Sequence, residues 1–136
     1  MNEELDKENR EPIPGPVEQA AKSIIGAAIE VHRHLGPGLL ESVYERAMVH
    51  ELGLRNLRYQ QQAPVDIRYK GITIAGQRID LLVEPGVVVE LKSTDGLLPV
   101  HSRQVVSYLK STGARLGLLI NFNVPVLKSG IRRIVN

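Results

Sequence analysis

Two apolar runs, Ile79-Asp80-Leu81-Leu82-Val83 and Val87-Val88-Val89-Glu90-Leu91-Lys92, are joined by Glu84-Pro85-Gly86. They read as neighbouring strands of a buried hairpin, yet they carry Asp80, Glu90 and Lys92. Burying an unpaired charge is costly, so two carboxylates and an ammonium within one apolar hairpin require a reason. Glu90 and Lys92 are two apart and leave the same face of their strand. The face of Asp80 depends on the turn. A two-residue Pro85-Gly86 loop pairs Asp80 with Leu91 and puts Glu90 on the opposite side. An odd loop or a bulge pairs Asp80 with Glu90. The sequence allows either.

If the carboxylates meet, they repel at low dielectric. A hard divalent cation removes that penalty, and Mg²⁺ accepts one or two carboxylates, keeps several waters and bridges to substrate phosphate. Lys92 beside it is placed to orient or deprotonate a water and to stabilise developing negative charge. The plainer alternative is a buried lysine–carboxylate pair with a second acid at an edge. Three charged groups in two adjacent apolar strands favour the site.

The rest of the chain supplies the surroundings. Its 136 residues make one domain, and 43% hydrophobic with 24% charged residues is ordinary for a soluble globular chain. No apolar run would span a bilayer, so no membrane role is expected, and Met1 to Lys7 lack the make-up of a signal peptide. There is no cysteine, which removes thiolate sites and suits a reducing, cytoplasmic location. Net charge is only +2, but from Gly96 onward there is no Asp or Glu, while Arg103, Lys110, Arg115, Lys128, Arg132 and Arg133 are present. That half is either a polyanion surface or a solvated basic face.

Residues 1–16 read as an acidic, proline-rich flexible tail, and 17–136 as the single domain. Val17 to Leu35 has the spacing of one helix, with its stripe at Val17, Ala20, Ala21, Ile24, Ile25, Ala28, Val31 and Leu35, and Gly36-Pro37-Gly38 ends it. A second helix runs from about Leu40 to Leu52, with Leu40, Val43, Tyr44, Ala47 and Met48 on its core side and Gly53 as its stop. Strands follow over Arg58–Arg68, Ile72–Val83 and Val87–Lys92. A helix over His101–Ser111, a strand over Arg115–Phe122 and a short edge strand over Ile131–Val135 complete the order. Short turns make the first three strands antiparallel, and the helical crossover makes the third and fourth parallel. The fold class is α/β or α+β, a mixed sheet flanked by helices. His32 and His34, two apart, are expected to cap or to face solvent, and His101 to belong to the start of its helix rather than to a site.

Asp80 followed by Glu90-Leu91-Lys92 resembles the D…(D/E)xK core of the PD-(D/E)xK nuclease superfamily, with Ile79 where the superfamily name has proline. The helix-strand-strand-strand-helix-strand order is similar too. Gly38-Leu39-Leu40-Glu41-Ser42-Val43-Tyr44 resembles the motif that names the GxxExxY protein family, and Gln104-Val105-Val106-Ser107-Tyr108 the QxxxY motif of RecB-like nucleases. The resemblance covers Val17 to Ile134. It implies a restriction-endonuclease-like core and a nuclease that hydrolyses phosphodiester bonds, in DNA above all, with Mg²⁺ or Mn²⁺. It implies Asp80 and Glu90 as metal ligands, the Leu91 carbonyl as a third, and Lys92 as the catalytic lysine. Glu41 completes the acidic shell directly or through water, and Gln104, Tyr108 and Tyr44 orient the site or touch substrate. Taken alone, Glu41 reads first as an acid favoured by its helix N-terminus, and only the resemblance makes it a site residue. The rival reading is a catalytically silent nucleic-acid- or protein-binding domain, or a subunit active only with a partner protein or as a homodimer.

Overall fold

The computed structural model describes residues 11–136. The elements are α1 (Gly15–Leu35), α2 (Glu41–Leu54), β1 (Tyr59–Tyr69), β2 (Ile72–Val83), β3 (Val87–Lys92), α3 (Pro99–Thr112), β4 (Leu116–Asn121), a 3₁₀ turn (Leu127–Gly130) and β5 (Ile131–Val135). The order read from the sequence is the order observed. Most of the expected tail, residues 1–10, lies outside the described residues, and α1 begins at Gly15, just inside the span assigned to the tail. Pro16 sits in its first turn, where a missing amide costs no hydrogen bond.

The sheet has five strands in the order β1-β2-β3-β4-β5. β1, β2 and β3 are antiparallel, β3 and β4 are parallel, and β5 returns antiparallel at the far edge. β3 and β4 are covered on both sides, as their unbroken apolar sequences demand. On one side of the sheet α1 and α2 pack over Val87, Val89, Leu91, Leu116, Leu118 and Ile120. On the other, α3 packs through Val105, Tyr108 and Leu109 over Val88 and Leu119. Gly117 suits glycine, because a β-carbon there would run into the Val105 side chain of α3.

The stripe of α1 is as read except at its end, where Leu35 is exposed because the chain leaves the sheet at the Gly36 stop, and Ala27 and His32 are added to it. His32 is buried, not at the surface as expected, and its Nε2 donates to the Val124 carbonyl at 2.8 Å. His34 does face solvent and pairs with Glu30. In α2 the core side is narrower than the sequence suggested: Tyr44, Met48 and Leu52 are buried, while Leu40 is 74% exposed. One row of side chains four apart is fully buried, Ala47 and Val49 pack partly buried beside it, and Leu40 stands just before the helix. β1 and β2 extend beyond the other strands as a two-stranded arm, whose residues from Ile72 to Arg78 are exposed. A two-residue turn, Lys70-Gly71, closes it with both residues at positive φ.

Candidate active site

β2 and β3 are joined by a three-residue loop. Val83 pairs with Val87, Leu82 with Val88 and Leu81 with Val89, so the next position along β2 brings Asp80 opposite Glu90. The odd loop that this requires is Glu84-Pro85-Gly86, closed by the Gly86 amide donating to the Val83 carbonyl at 2.9 Å. Gly86 has φ 145°, a conformation that favours glycine.

The ladder stops at the two acids because their side chains replace it. The Asp80 amide donates to Glu90 Oε1 at 3.0 Å, and the Leu91 amide donates to Asp80 Oδ2 at 2.9 Å. Each carboxylate therefore satisfies a backbone amide of the facing strand, and the strands part at that point. The strand also turns over here. Ile79 and Leu81 have the same parity, yet Ile79 packs under α3 and Leu81 under α1 and α2. The matching irregularity in β1 is Gln62, which stands between the paired positions Gln61↔Leu81 and Ala63↔Ile79 and has φ 51°.

Glu90 is 4% exposed. Desolvation, reinforced by the negative charge of Asp80, pushes its carboxyl up to about 8, against the opposing pull of the Asp80 amide and of Lys92. Glu41, at the first turn of α2, also has its carboxyl raised. Partial desolvation is the main cause and the charges of Asp80 and Glu45 add to it, while Lys92 acts the other way. Lys92 thus lies within the electrostatic reach of both Glu41 and Glu90, and no direct ion pair ties it to either. Ser93 helps bring these elements together, its hydroxyl donating to the Leu39 carbonyl at 2.5 Å. Thus the loop after β3 is fastened to the loop before α2. On the far side Asn121 bonds Thr94 through both its amide atoms.

Gln104 and Tyr108 do share a face of α3. Gln104 Nε2 donates to the Tyr108 hydroxyl at 3.0 Å, and that hydroxyl donates to Gln77 Oε1 of β2 at 3.1 Å. Burial raises the Tyr108 phenol, and the charges of Glu90 and Asp80 raise it further, which places it beside the acids. Tyr44 is in the scaffold. It is fully buried, it stacks on Phe122 at 4.4 Å between ring centroids, and its hydroxyl accepts from Leu39 and donates to the Gly36 carbonyl. It holds the loop that precedes Glu41. His101 accepts the Leu98 amide at 3.0 Å and so caps the start of α3.

Some neighbours were missed in the sequence. Glu45 follows Glu41 by one helical turn and is held by Gln61 at 2.8 Å and Gln62 at 2.7 Å. Gln62 also donates to Asp80 Oδ1 at 3.3 Å. The only available signal was the Gln60-Gln61-Gln62 run in an otherwise alternating strand. The basic half of the chain does not form one patch. Arg132 and Arg133 pair with Leu119 and Leu118, which lie under opposite faces. Arg133 is engaged by Glu18, and Arg115 by the carbonyls of Asn136 and Glu11.

Among the described residues no three His, Cys, Asp or Glu side chains close on one point as a ready cage. The donors at the parting of β2 and β3 are instead two carboxylates that meet across it, one of them retaining its proton well above its ordinary range. Two hard oxygen donors short of a counter-charge fit a hard divalent cation that completes its shell with water.

An α+β domain with a mixed five-stranded sheet between helices has the build of a PD-(D/E)XK nuclease core. The model of the PD-(D/E)XK nuclease superfamily matches residues 18–134, and the chain belongs to that superfamily. Its members are usually hydrolytic nucleases that act on nucleic acid and generally use divalent metals. No curated protein matches the chain. Among solved structures it is similar to the crystal structure of SSO0001, at 16% identity and a TM-score of 0.41, over 96% of this chain and 71% of that one. Among the described residues no helix is long and apolar enough to cross a membrane.

Proposed function

We propose that this chain is a nuclease of the GxxExxY kind that hydrolyses phosphodiester bonds in DNA with Mg²⁺ or Mn²⁺. The observation that carries the reading is the meeting of Asp80 and Glu90 across β2 and β3, with Lys92 and Glu41 in electrostatic reach. Asp80 and Glu90 would hold the ion, with the Leu91 carbonyl as a further donor and Glu41 bound directly or through water. The ion, when bound, supplies charge to stabilise the phosphoryl oxygens in the transition state. Lys92 acts electrostatically on the acids of both α2 and β3, and in this reading its ammonium orients the attacking water and offsets developing negative charge. To hold the ion Glu90 would have to give up its proton, the ion then serving as the counter-charge beside Asp80. Gln104 and Tyr108 form a polar row from α3 to Gln77 that presents donors to a phosphodiester backbone.

Purified protein with Mn²⁺ and end-labelled DNA tests this, beside Lys92→Ala and Asp80→Asn. The expected result is cleavage by the wild type and none by either variant. Equal cleavage by all three would mean a contaminant and would sink the proposal. Carboxylate-dependent Mn²⁺ binding without cleavage would turn the reading to a subunit that needs a partner, and no binding at all to a silent nucleic-acid- or protein-binding domain.

A further inference from the structure

We infer that Gln62 is the positioning residue of Asp80, anchored in turn by Glu45, so that α2 and β1 set the orientation of the carboxylate together. The inference rests on the metal-site reading given above and extends it to two residues outside the acid–lysine motif.

Three independent features converge on Gln62. Its backbone is left-handed, with φ 51°, a conformation that a residue with a β-carbon adopts only at a cost and that recurs at functional sites. Its single side-chain nitrogen donates to two carboxylates from different elements, Glu45 Oε1 of α2 at 2.7 Å and Asp80 Oδ1 of β2 at 3.3 Å. It also lies opposite the one residue at which β2 turns over, between the pairs Gln61↔Leu81 and Ala63↔Ile79. The left-handed backbone aims the amide into the gap between α2 and β2.

The consequence for Asp80 is geometric. Its Oδ2 is held by the Leu91 amide and its Oδ1 by Gln62. Two donors on different strands fix the plane of a carboxylate, and each oxygen keeps a lone pair for another partner. Without Gln62 only the Leu91 amide remains, and the carboxylate can swing about its last side-chain bond. Glu45 is the other half of the device. Gln61 grips its second oxygen at 2.8 Å, so Glu45 stands as a fixed charged acceptor that prevents the Gln62 amide from turning away. Groups that orient a metal ligand in this way typically change metal affinity or activity 10–100-fold when removed.

Glycine at position 62 separates the two roles, because it relieves the backbone strain while deleting the amide. For Gln62→Gly the melting temperature is expected to equal or exceed that of the wild type, while Mn²⁺ affinity measured by calorimetry falls about tenfold. Unchanged Mn²⁺ affinity, or a steep loss of melting temperature, would overturn the positioning role. A second readout needs no metal: the ¹⁵N-edited signal of the Gln62 side-chain amide should shift in both Glu45→Gln and Asp80→Asn. An amide signal indifferent to both substitutions overturns the inference. If the wild type binds no Mn²⁺, the nuclease reading fails, and the amide signal alone decides whether Gln62 clamps the two carboxylates.

Discussion

Under α1 and α2 the sheet is sealed, and under α3 it is not. The first face buries Ile24, Tyr44, Met48, Leu81, Leu118 and Phe122 completely, and its buried histidine is satisfied by the Val124 carbonyl. The second face has a single helix and a smaller apolar cluster, with Glu90 at its edge and the Gln104–Tyr108–Gln77 row across it. Apolar contact on the sealed face supplies the stability that the open face gives up. Glu90 can therefore be held desolvated beside Asp80, a strain the small α3 core could not sustain alone.

The contrast predicts that substitutions on the two faces fail differently. The largest effect belongs to the open face. Lys92→Ala should lower cleavage by roughly a thousandfold, about 4 kcal/mol at the transition state, with a melting temperature within a few degrees of wild type. A parallel collapse of the melting temperature would show that Lys92 holds the fold instead. Next, Leu118→Ala removes a fully buried side chain from the sealed face. It should cost about 2–5 kcal/mol of stability in denaturant titrations, while the protein that remains folded keeps its activity per molecule.

A smaller effect comes from Glu90 itself. Metal-free, its carboxyl is raised from the ordinary carboxylate range to about 8. The folded state then binds more protons than the unfolded state throughout that window, so stability is full at the acidic end and falls as pH rises toward 8. Melting curves in EDTA should show this fall for the wild type, while Glu90→Gln should flatten it and melt several degrees higher at pH 8. A wild-type curve already flat between pH 5 and 8 would mean that the open face carries no such strain. The smallest effect is that of Tyr44→Phe. It keeps the stacking on Phe122 but deletes the hydroxyl that joins Gly36 to Leu39. It should cost about 1 kcal/mol and lower cleavage only a few-fold through the Glu41 loop, whereas a loss as large as that of Lys92→Ala would give Tyr44 a direct role at the site.

Much of this architecture was legible in the chain. The buried strands could be read because β3 and β4 lack alternation, and strands with two covered faces need none. The crossover through α3 required β3 and β4 to be parallel, and the spacing of Asp80, Glu90 and Lys92 within apolar runs marked where charge had to be explained. Positions 104 and 108 were bound to share a helix face. These properties follow from local periodicity and from the cost of burying charge, both of which are written in the order of residues.

Other features needed the folded molecule. Whether Asp80 faces Glu90 turns on a single residue in the Glu84-Pro85-Gly86 loop, and parity along a strand says nothing about the length of a turn. The turnover of β2 at Asp80 depends on packing from both sides of the sheet. Tyr44 reads as a motif residue but is held in a buried loop, and the basic residues that cluster in sequence separate in space because Arg132 and Arg133 lie on opposite faces. Glu45 and Gln62 are 17 residues apart and carry no mark of their contact. The sequence by itself determined which strands are buried and which charges are out of place. The tertiary structure decided which of those charges meet, because contacts between distant residues are chosen by loop length and packing and not by local pattern.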